Sequence, residues 1–151
     1  MKRITVLNHE FVEYIPKELE DGKLYVSITF ATATHKCCCG CGQEVVTPLS
    51  PTDWALIFDG ERVSLDPSIG NWSFKCQSHY WIRRNRVEWA RRWSGREIEA
   101  GRAHDRLAKQ RYFEPIIRDA KAGSRESGED GSEEGLLRKL KRWLGVTTPE
   151  A

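Results

Sequence analysis

The stretch LYVSITFATATHKCCCGCGQEVVTP, residues 24–48, decides how the chain is read. In its first half Leu24, Val26, Ile28 and Phe30 alternate with Tyr25, Ser27 and Thr29, the two-residue period of a half-buried strand that leads into the cysteines. Its middle packs Cys37, Cys38, Cys39 and Cys41 into five positions. Its end reads as a return strand over 43–47, since Val45, Val46 and Thr47 are β-branched and Gly40 and Gly42 permit a tight reversal. The expectation is a hairpin with thiols at its tip. Cysteines this close do not easily satisfy disulfide geometry with one another, so metal binding or thiol chemistry in a reducing compartment is the better reading.

Outward from this hairpin the first ninety residues stay β-rich. Phe11, Val12, Tyr14 and Ile15 form a short apolar run. Segments 55–58 and 62–65 flank Asp59-Gly60, a hairpin dipeptide, and strands are expected over 72–82 and 87–89, joined across Arg83–Arg86. From Ser94 the pattern turns helical, with a break expected at Pro115. Residues 123–135, GSRESGEDGSEEG, carry no apolar side chain and read as a flexible acidic linker. Leu136, Leu137, Leu140, Trp143 and Leu144 then form an apolar stripe opposite Arg138, Lys139, Lys141 and Arg142, a short amphipathic basic helix that needs a docking partner.

These readings give four parts: a β-rich metal-binding domain (1–93), a helical extension (94–122), the linker (123–135) and the terminal helix (136–146). The expected fold class is mainly β, a small zinc-stapled antiparallel sheet of hairpins with a helical C-terminal extension. The 151 residues are one domain's worth, and with 39% hydrophobic and 30% charged residues no stretch approaches the ~20 apolar residues of a membrane span. The N-terminus lacks a secretory h-region, so the expected location is cytoplasmic. A net charge of +2 is too balanced to argue for nucleic acid over the whole chain. The local excess of 12 basic over 6 acidic residues between Tyr80 and Lys121, beside Trp72, Phe74, Tyr80, Trp81, Trp89 and Trp93, leaves a nucleic-acid module as a third reading.

Zinc takes tetrahedral sulfur and nitrogen ligands, often in pairs two or three residues apart on glycine-containing turns. Cys38 with Cys41 has C-x-x-C spacing, Cys37 with Cys39 and Cys39 with Cys41 have C-x-C spacing, and Cys76 with His79 supplies a distant C-x-x-H half. Five cysteines with His79 and His35 exceed four ligands, so a spare thiol beside the metal is a candidate nucleophile. Catalytic candidates on that reading are Cys38 as nucleophile and His79 as base, with Asp66, Asp53 or Asn71 to orient it. A hydroxyl nucleophile at Ser64, Ser68 or Ser78 is also open, with none favoured. No HExxH, Walker loop or GxGxxG is present.

The blocks HKCCCGCGQEVVTPLSPTDW and DGERVSLDPSIGNWSFKCQSHYWI resemble those of an uncharacterised bacterial family of small Cys-x-Cys-Gly-Cys-Gly / Cys-x-Ser-His proteins. The matching residues are Cys37, Cys39, Gly40, Cys41 and Gly42, then Pro67, Ser68, Ile69, Cys76, Ser78 and His79, and the likeness covers residues 1 to about 90. The resemblance implies Cys37, Cys39, Cys41, Cys76 and His79 as the ligands of one Zn²⁺, with Cys38 extra. It also implies association with bacterial ubiquitin-like conjugation operons, and hence partners among a ubiquitin-like modifier and its activating or conjugating enzymes. The resulting expectation is a zinc-binding accessory protein of such a system, with a Trp- and Arg-rich docking face. The alternative is a cysteine peptidase or isopeptidase that processes or removes the modifier.

Overall fold

The computed structural model describes residues 2–126 and is mainly β, with two four-stranded sheets and one C-terminal helix. The first sheet holds β1 (Asn8–Phe11), β2 (Lys23–Ser27), β3 (Thr32–Lys36) and β4 (Glu44–Pro48) in that order. The second holds β5 (Ala55–Phe58), β6 (Val63–Gly70), β7 (His79–Arg83) and β8 (Arg86–Trp89), also in chain order. All neighbours are antiparallel except β1 and β2, which run parallel. The single antiparallel sheet expected from the hairpin pattern is therefore two sheets, and they share one core. Leu24, Val26, Ala33 and Val45 from the first sheet meet Val63, Leu65, Ile69, Tyr80, Ile82 and Val87 from the second.

The long strand expected from Leu24 to Phe30 ends at Ser27, because the chain turns over residues 28–31 and returns as β3. Ile28 and Phe30 continue the alternation in sequence, yet both are exposed in this turn. Ser27 closes it from the side, accepting the Phe30 amide on Oγ at 3.3 Å. The cysteines thus lie at the tip of the next hairpin, β3–β4. Here Gly40 and Gly42 adopt φ of 84° and 77°, a left-handed backbone that side chains resist. In the second sheet, Arg84 and Asn85 both take positive φ, the two-residue turn that matches the twist of β7 and β8. Asn85 also fastens that turn to β6, its Oδ1 accepting the Val63 amide at 2.9 Å.

Residues 72–78, expected as the first part of a strand, instead form a chain of turns joining β6 to β7. Conversely, β6 runs through Pro67–Gly70, where irregular chain was expected. It does so by a register shift between Leu65 and Ile69, which lets the Asp66-Pro67 bond sit in a strand without breaking the ladder on either side. The helix α1 spans Gly95–Glu126 and includes Pro115, so the expected break is absent. A proline removes one intrahelical donor and crowds one carbonyl, a local cost of roughly 3 kcal/mol that need not end a long helix.

The chain divides into two units at Arg106/Leu107, and both sheets and all five cysteines belong to the first. Residues 123–126, the start of the linker expected over 123–135, instead continue α1, while its remainder from residue 127 onward and the expected amphipathic helix at 136–146 lie outside the described residues. Among the described residues no helix is long and apolar enough to cross a membrane.

Ile82 is fully buried where the sheets meet, whereas Ile57 on the outer strand β5 is 55% exposed. Chemical denaturation should therefore show Ile82→Ala losing about 2–5 kcal/mol and Ile57→Ala staying within about 0.5 kcal/mol of the parent.

Candidate active site and cysteine cluster

The β3–β4 tip is a knot of backbone hydrogen bonds. The Cys37 amide donates to the Gln43 carbonyl at 2.8 Å and the Gly40 amide to the Cys37 carbonyl at 3.0 Å, which turns three sulfurs to one side. The fourth sulfur arrives from the other sheet on the β6–β7 connection. Cys76 Sγ lies 3.9 Å from Cys37 Sγ and 3.8 Å from Cys41 Sγ, and Cys37 and Cys39 are 3.4 Å apart. All four sulfurs lie within 4.8 Å of one another, clustered in a way that could bind a metal ion. Sulfurs at the corners of a tetrahedron with 2.3 Å metal–sulfur bonds would be about 3.8 Å apart. The donor set and spacing suit a tetrahedral, thiophilic cation. Around it, Ser78 Oγ lies 3.1 Å from Cys37 Sγ, and Asn71 Nδ2 donates to the same sulfur at 3.7 Å. Such donors stabilise thiolates and orient them.

Cys38 and His79 do not join this group. Cys38 is fully buried in the core, and burial pushes its thiol up to about 12, the reverse of an activated nucleophile. Cys76 differs: burial pushes its thiol up, but hydrogen bonds from the Ser78 hydroxyl and amide and from Cys39 and Cys41 outweigh it and bring Cys76 down to about 7. His35 is buried between the sheets, where desolvation depresses it to about 3 and Nε2 meets the Tyr80 hydroxyl at 2.9 Å.

His79 has both ring nitrogens engaged elsewhere. It opens β7 opposite Gly70, which places it beside the C-terminal end of β6, and there its Nε2 lies 3.0 Å from Ser68 Oγ. The register shift in β6 falls on the residues just before Ile69 and sets the direction of Ser68. The other nitrogen, Nδ1, is 3.0 Å from the Arg91 carbonyl oxygen. A carbonyl only accepts, so Nδ1 carries the proton and Nε2 of the neutral ring presents its lone pair to the serine hydroxyl. This is the tautomer a general base needs.

Three indoles surround the imidazole. Trp72, Trp81 and Trp93 have ring centroids 5.0, 5.6 and 5.0 Å from that of His79, and Trp72 stacks on Trp93 at 5.3 Å. Gly70 makes room for this arrangement, since a Cβ there would come within 2.4 Å of the Trp72 ring. Of the expected aromatic face, Tyr80 is in the core, and Trp89 packs edge-on against it.

The remaining candidates have other work or none at the imidazole. Ser64 accepts the Arg84 amide, Ser78 and Asn71 bond each other beside Cys37, and Asp53 accepts from Ser50. Asp66 is exposed on β6 and makes no hydrogen bond to His79. The acceptor that orients His79 is a backbone carbonyl, for which side-chain identity carries no signal. Ser68 was one of three open serines, and only the pairing of β6 with β7 singles it out.

The segment bearing that carbonyl is held at the start of α1. The Ser94 amide and hydroxyl donate to Glu97 Oε2 at 2.8 and 2.9 Å, and Arg91 clasps the same carboxylate through both guanidinium nitrogens. The Arg91 guanidinium first, then the Ser94 amide and hydroxyl, hold the Glu97 carboxyl down at about 2. A depressed folded value means this cap is intact above the ordinary value of 4.5 and is lost only as the pH falls toward 2. Carbon-13 NMR of the Glu97 carboxyl should accordingly show a midpoint well below 4.5, and Arg91→Gln should return it toward that value.

Neither a curated protein nor a solved structure matches the chain. A family model does, over residues 11–90, a span that takes in the whole cysteine cluster, Ser68 and His79 and more than half of the 151 residues. Its description is bacterial ubiquitination-like system serine protease, and the chain belongs to this family, BubE.

Proposed function

We propose that the chain is a serine peptidase that cleaves a polypeptide bond within a bacterial ubiquitination-like system, processing or removing the modifier. Ser68 is the nucleophile, His79 the general base and the Arg91 carbonyl the group that fixes the imidazole. The observation that carries this reading is the 3.0 Å Ser68–His79 hydrogen bond, together with the second at 3.0 Å from Nδ1 to a pure acceptor. The family description supports it independently. It favours the peptidase over the accessory role, with a serine in place of the expected cysteine.

Ser68 Oγ attacks the scissile carbonyl as its proton passes to His79 Nε2. The imidazolium returns that proton to the departing amine, leaving an acyl ester on Ser68. Water, deprotonated by the same Nε2, then releases the acid and restores the serine. In this scheme a neutral carbonyl replaces the usual carboxylate partner of the histidine. It holds the tautomer equally well but stabilises the imidazolium less. The three indoles exclude water from the imidazole and so strengthen both of its hydrogen bonds.

The same proposal gives Cys37, Cys39, Cys41 and Cys76 one structural Zn²⁺, joining the β3–β4 tip to the β6–β7 connection. Its chemistry is to bind the thiolates and so hold the two loops together; no step of the cleavage runs through it. Thiols kept reduced for this purpose suit a cytoplasmic setting.

Ser68→Ala should lower cleavage of the modifier precursor or conjugate by at least about 10³-fold, with circular dichroism and melting temperature unchanged. Retained cleavage would transfer the role to another residue. Metal analysis should find one zinc per chain, and Cys76→Ser should lose the metal and several degrees of melting temperature.

A further inference from the structure

A pocket of about 190 Å³ opens between the cysteine cluster and His79, and its lining includes Arg3, Gln77, His79, Trp89 and Arg92. It is smaller than the ~300–1,000 Å³ of small-molecule sites and suits a single side chain or chain end. No acidic residue lines it. Its two arginines are held by neutral groups: the Arg3 guanidinium carbon sits 4.6 Å over the Trp89 ring, and Arg92 Nη2 donates to Gln77 Oε1 at 2.9 Å. Elsewhere in the first unit Arg62, Arg83, Arg84, Arg91 and Arg106 each reach a carboxylate. Among the described residues Arg3 and Arg92 do not, and neither do Arg86, Arg96 and Arg102 of the same unit, but of these five only Arg3 and Arg92 line the pocket.

A guanidinium presents five N–H groups. Stacking on an indole uses none of them, and the amide of Gln77 uses one. The pocket therefore offers a donor-rich wall with no carboxylate of its own; the anionic groups in its lining are the Cys39 and Cys76 thiolates of the proposed zinc site, whose charge is shared with the metal. Both tethers set the orientation of a planar fork without neutralising it, which is the preparation that bidentate carboxylate recognition requires. His79 lines the same pocket and Ser68 does not, so on the serine-peptidase reading an occupant there is a part of the substrate chain that reaches the imidazole at a place the nucleophile does not line.

We propose that this pocket binds a carboxylate of the polypeptide substrate and makes Arg3 and Arg92 specificity determinants; the inference rests on the serine-peptidase reading for its meaning. The carboxylate has two possible sources, an acidic side chain flanking the scissile bond or the C-terminus that cleavage creates.

Binding is the test, because it does not require turnover. Nitrogen-15-labelled Ser68→Ala protein, loaded with zinc, is titrated with three peptides: acetyl-Ala-Glu-Ala-amide, acetyl-Ala-Gln-Ala with a free C-terminus, and acetyl-Ala-Gln-Ala-amide. At least one carboxylate-bearing peptide should shift the Trp89 indole and the Gln77 and Ala90 amides and bind roughly 10-fold more tightly than the neutral one, the scale of a charged hydrogen-bonded contact. The first alone assigns a side chain and the second alone a product terminus; either supports the pocket. Arg92→Gln and Arg3→Gln, both at exposed positions, should each remove most of that preference while leaving the rest of the spectrum in place. Equal binding of all three peptides, no binding of any, or a preference that survives both arginine changes would overturn the proposal. Failure of the serine reading would look different: Ser68→Ala would still cleave, whatever the peptides did.

Discussion

Two sheets with a shared core are joined at one end by the approach of Cys76 to Cys37 and Cys41, and the geometry of the candidate site hangs on that approach. The loop that carries Cys76 is also ordered by Trp72 stacked on Trp93, Phe74 packed on the core and Gln77 bonded to Arg92. Its backbone closes with the Asn71 amide on the Ser78 carbonyl at 2.9 Å, plus two short internal turns. Its side chains are polar or partly exposed apart from Asn71 and Ser78, which face the sulfurs. Gly70 before it pairs with His79 after it. Displacing Cys76 would therefore move the residue that opens β7, three positions later, and with it the imidazole. The cysteine cluster and the serine–histidine pair are separate constellations that share one loop.

A buried polar chain reinforces the same join. Asn71 Nδ2 reaches Ser78 Oγ at 2.9 Å and the Tyr80 hydroxyl at 3.4 Å, and that hydroxyl meets His35 Nε2 at 2.9 Å. The links run from the loop through β7 to β3 of the other sheet. Burying amide, phenol and imidazole groups is costly unless they satisfy one another, so this chain specifies one relative placement of the sheets where purely apolar packing would tolerate sliding. His35 Nδ1 is the one member left without a partner.

The pattern of residues made the β character, the cysteine hairpin and most strand positions legible, because alternation, β-branching and glycine at the turn are local signals. It could not show that the alternation through Ile28 and Phe30 is interrupted: apolar residues in a turn look like strand residues until their exposure is known. Nor could it divide the strands between two sheets, since pairing partners are a long-range property. The four sulfurs were legible as a pool, with one error of membership. Cys-x-x-His spacing looks like half a zinc knuckle, but here the last two of its four residues, Ser78 and His79, straddle the entry to β7, and the imidazole falls on the Ser68 side. Ser68 was visible only as one hydroxyl among three, and the Arg91 carbonyl was invisible, since every residue has one.

That carbonyl makes Arg91 a residue with two separate roles. Its backbone oxygen fixes the tautomer of His79, and its guanidinium binds Glu97, whose carboxylate also caps α1 through Ser94. Helix capping and imidazole orientation thus meet in one short segment, 91–97. Trp93, between them, lies edge-on to His79 and over Gly101, where a Cβ would come within 3.0 Å of its ring. A carbonyl on an otherwise free extended strand would sample many directions and hold an imidazole poorly. Clamping the residues on its C-terminal side to a helix start, with an indole wedged between, restricts the carbonyl without a carboxylate near the histidine. The fold thereby keeps an imidazole oriented and shielded by indoles, and leaves the neighbouring arginines of the pocket without a carboxylate among the residues that line it.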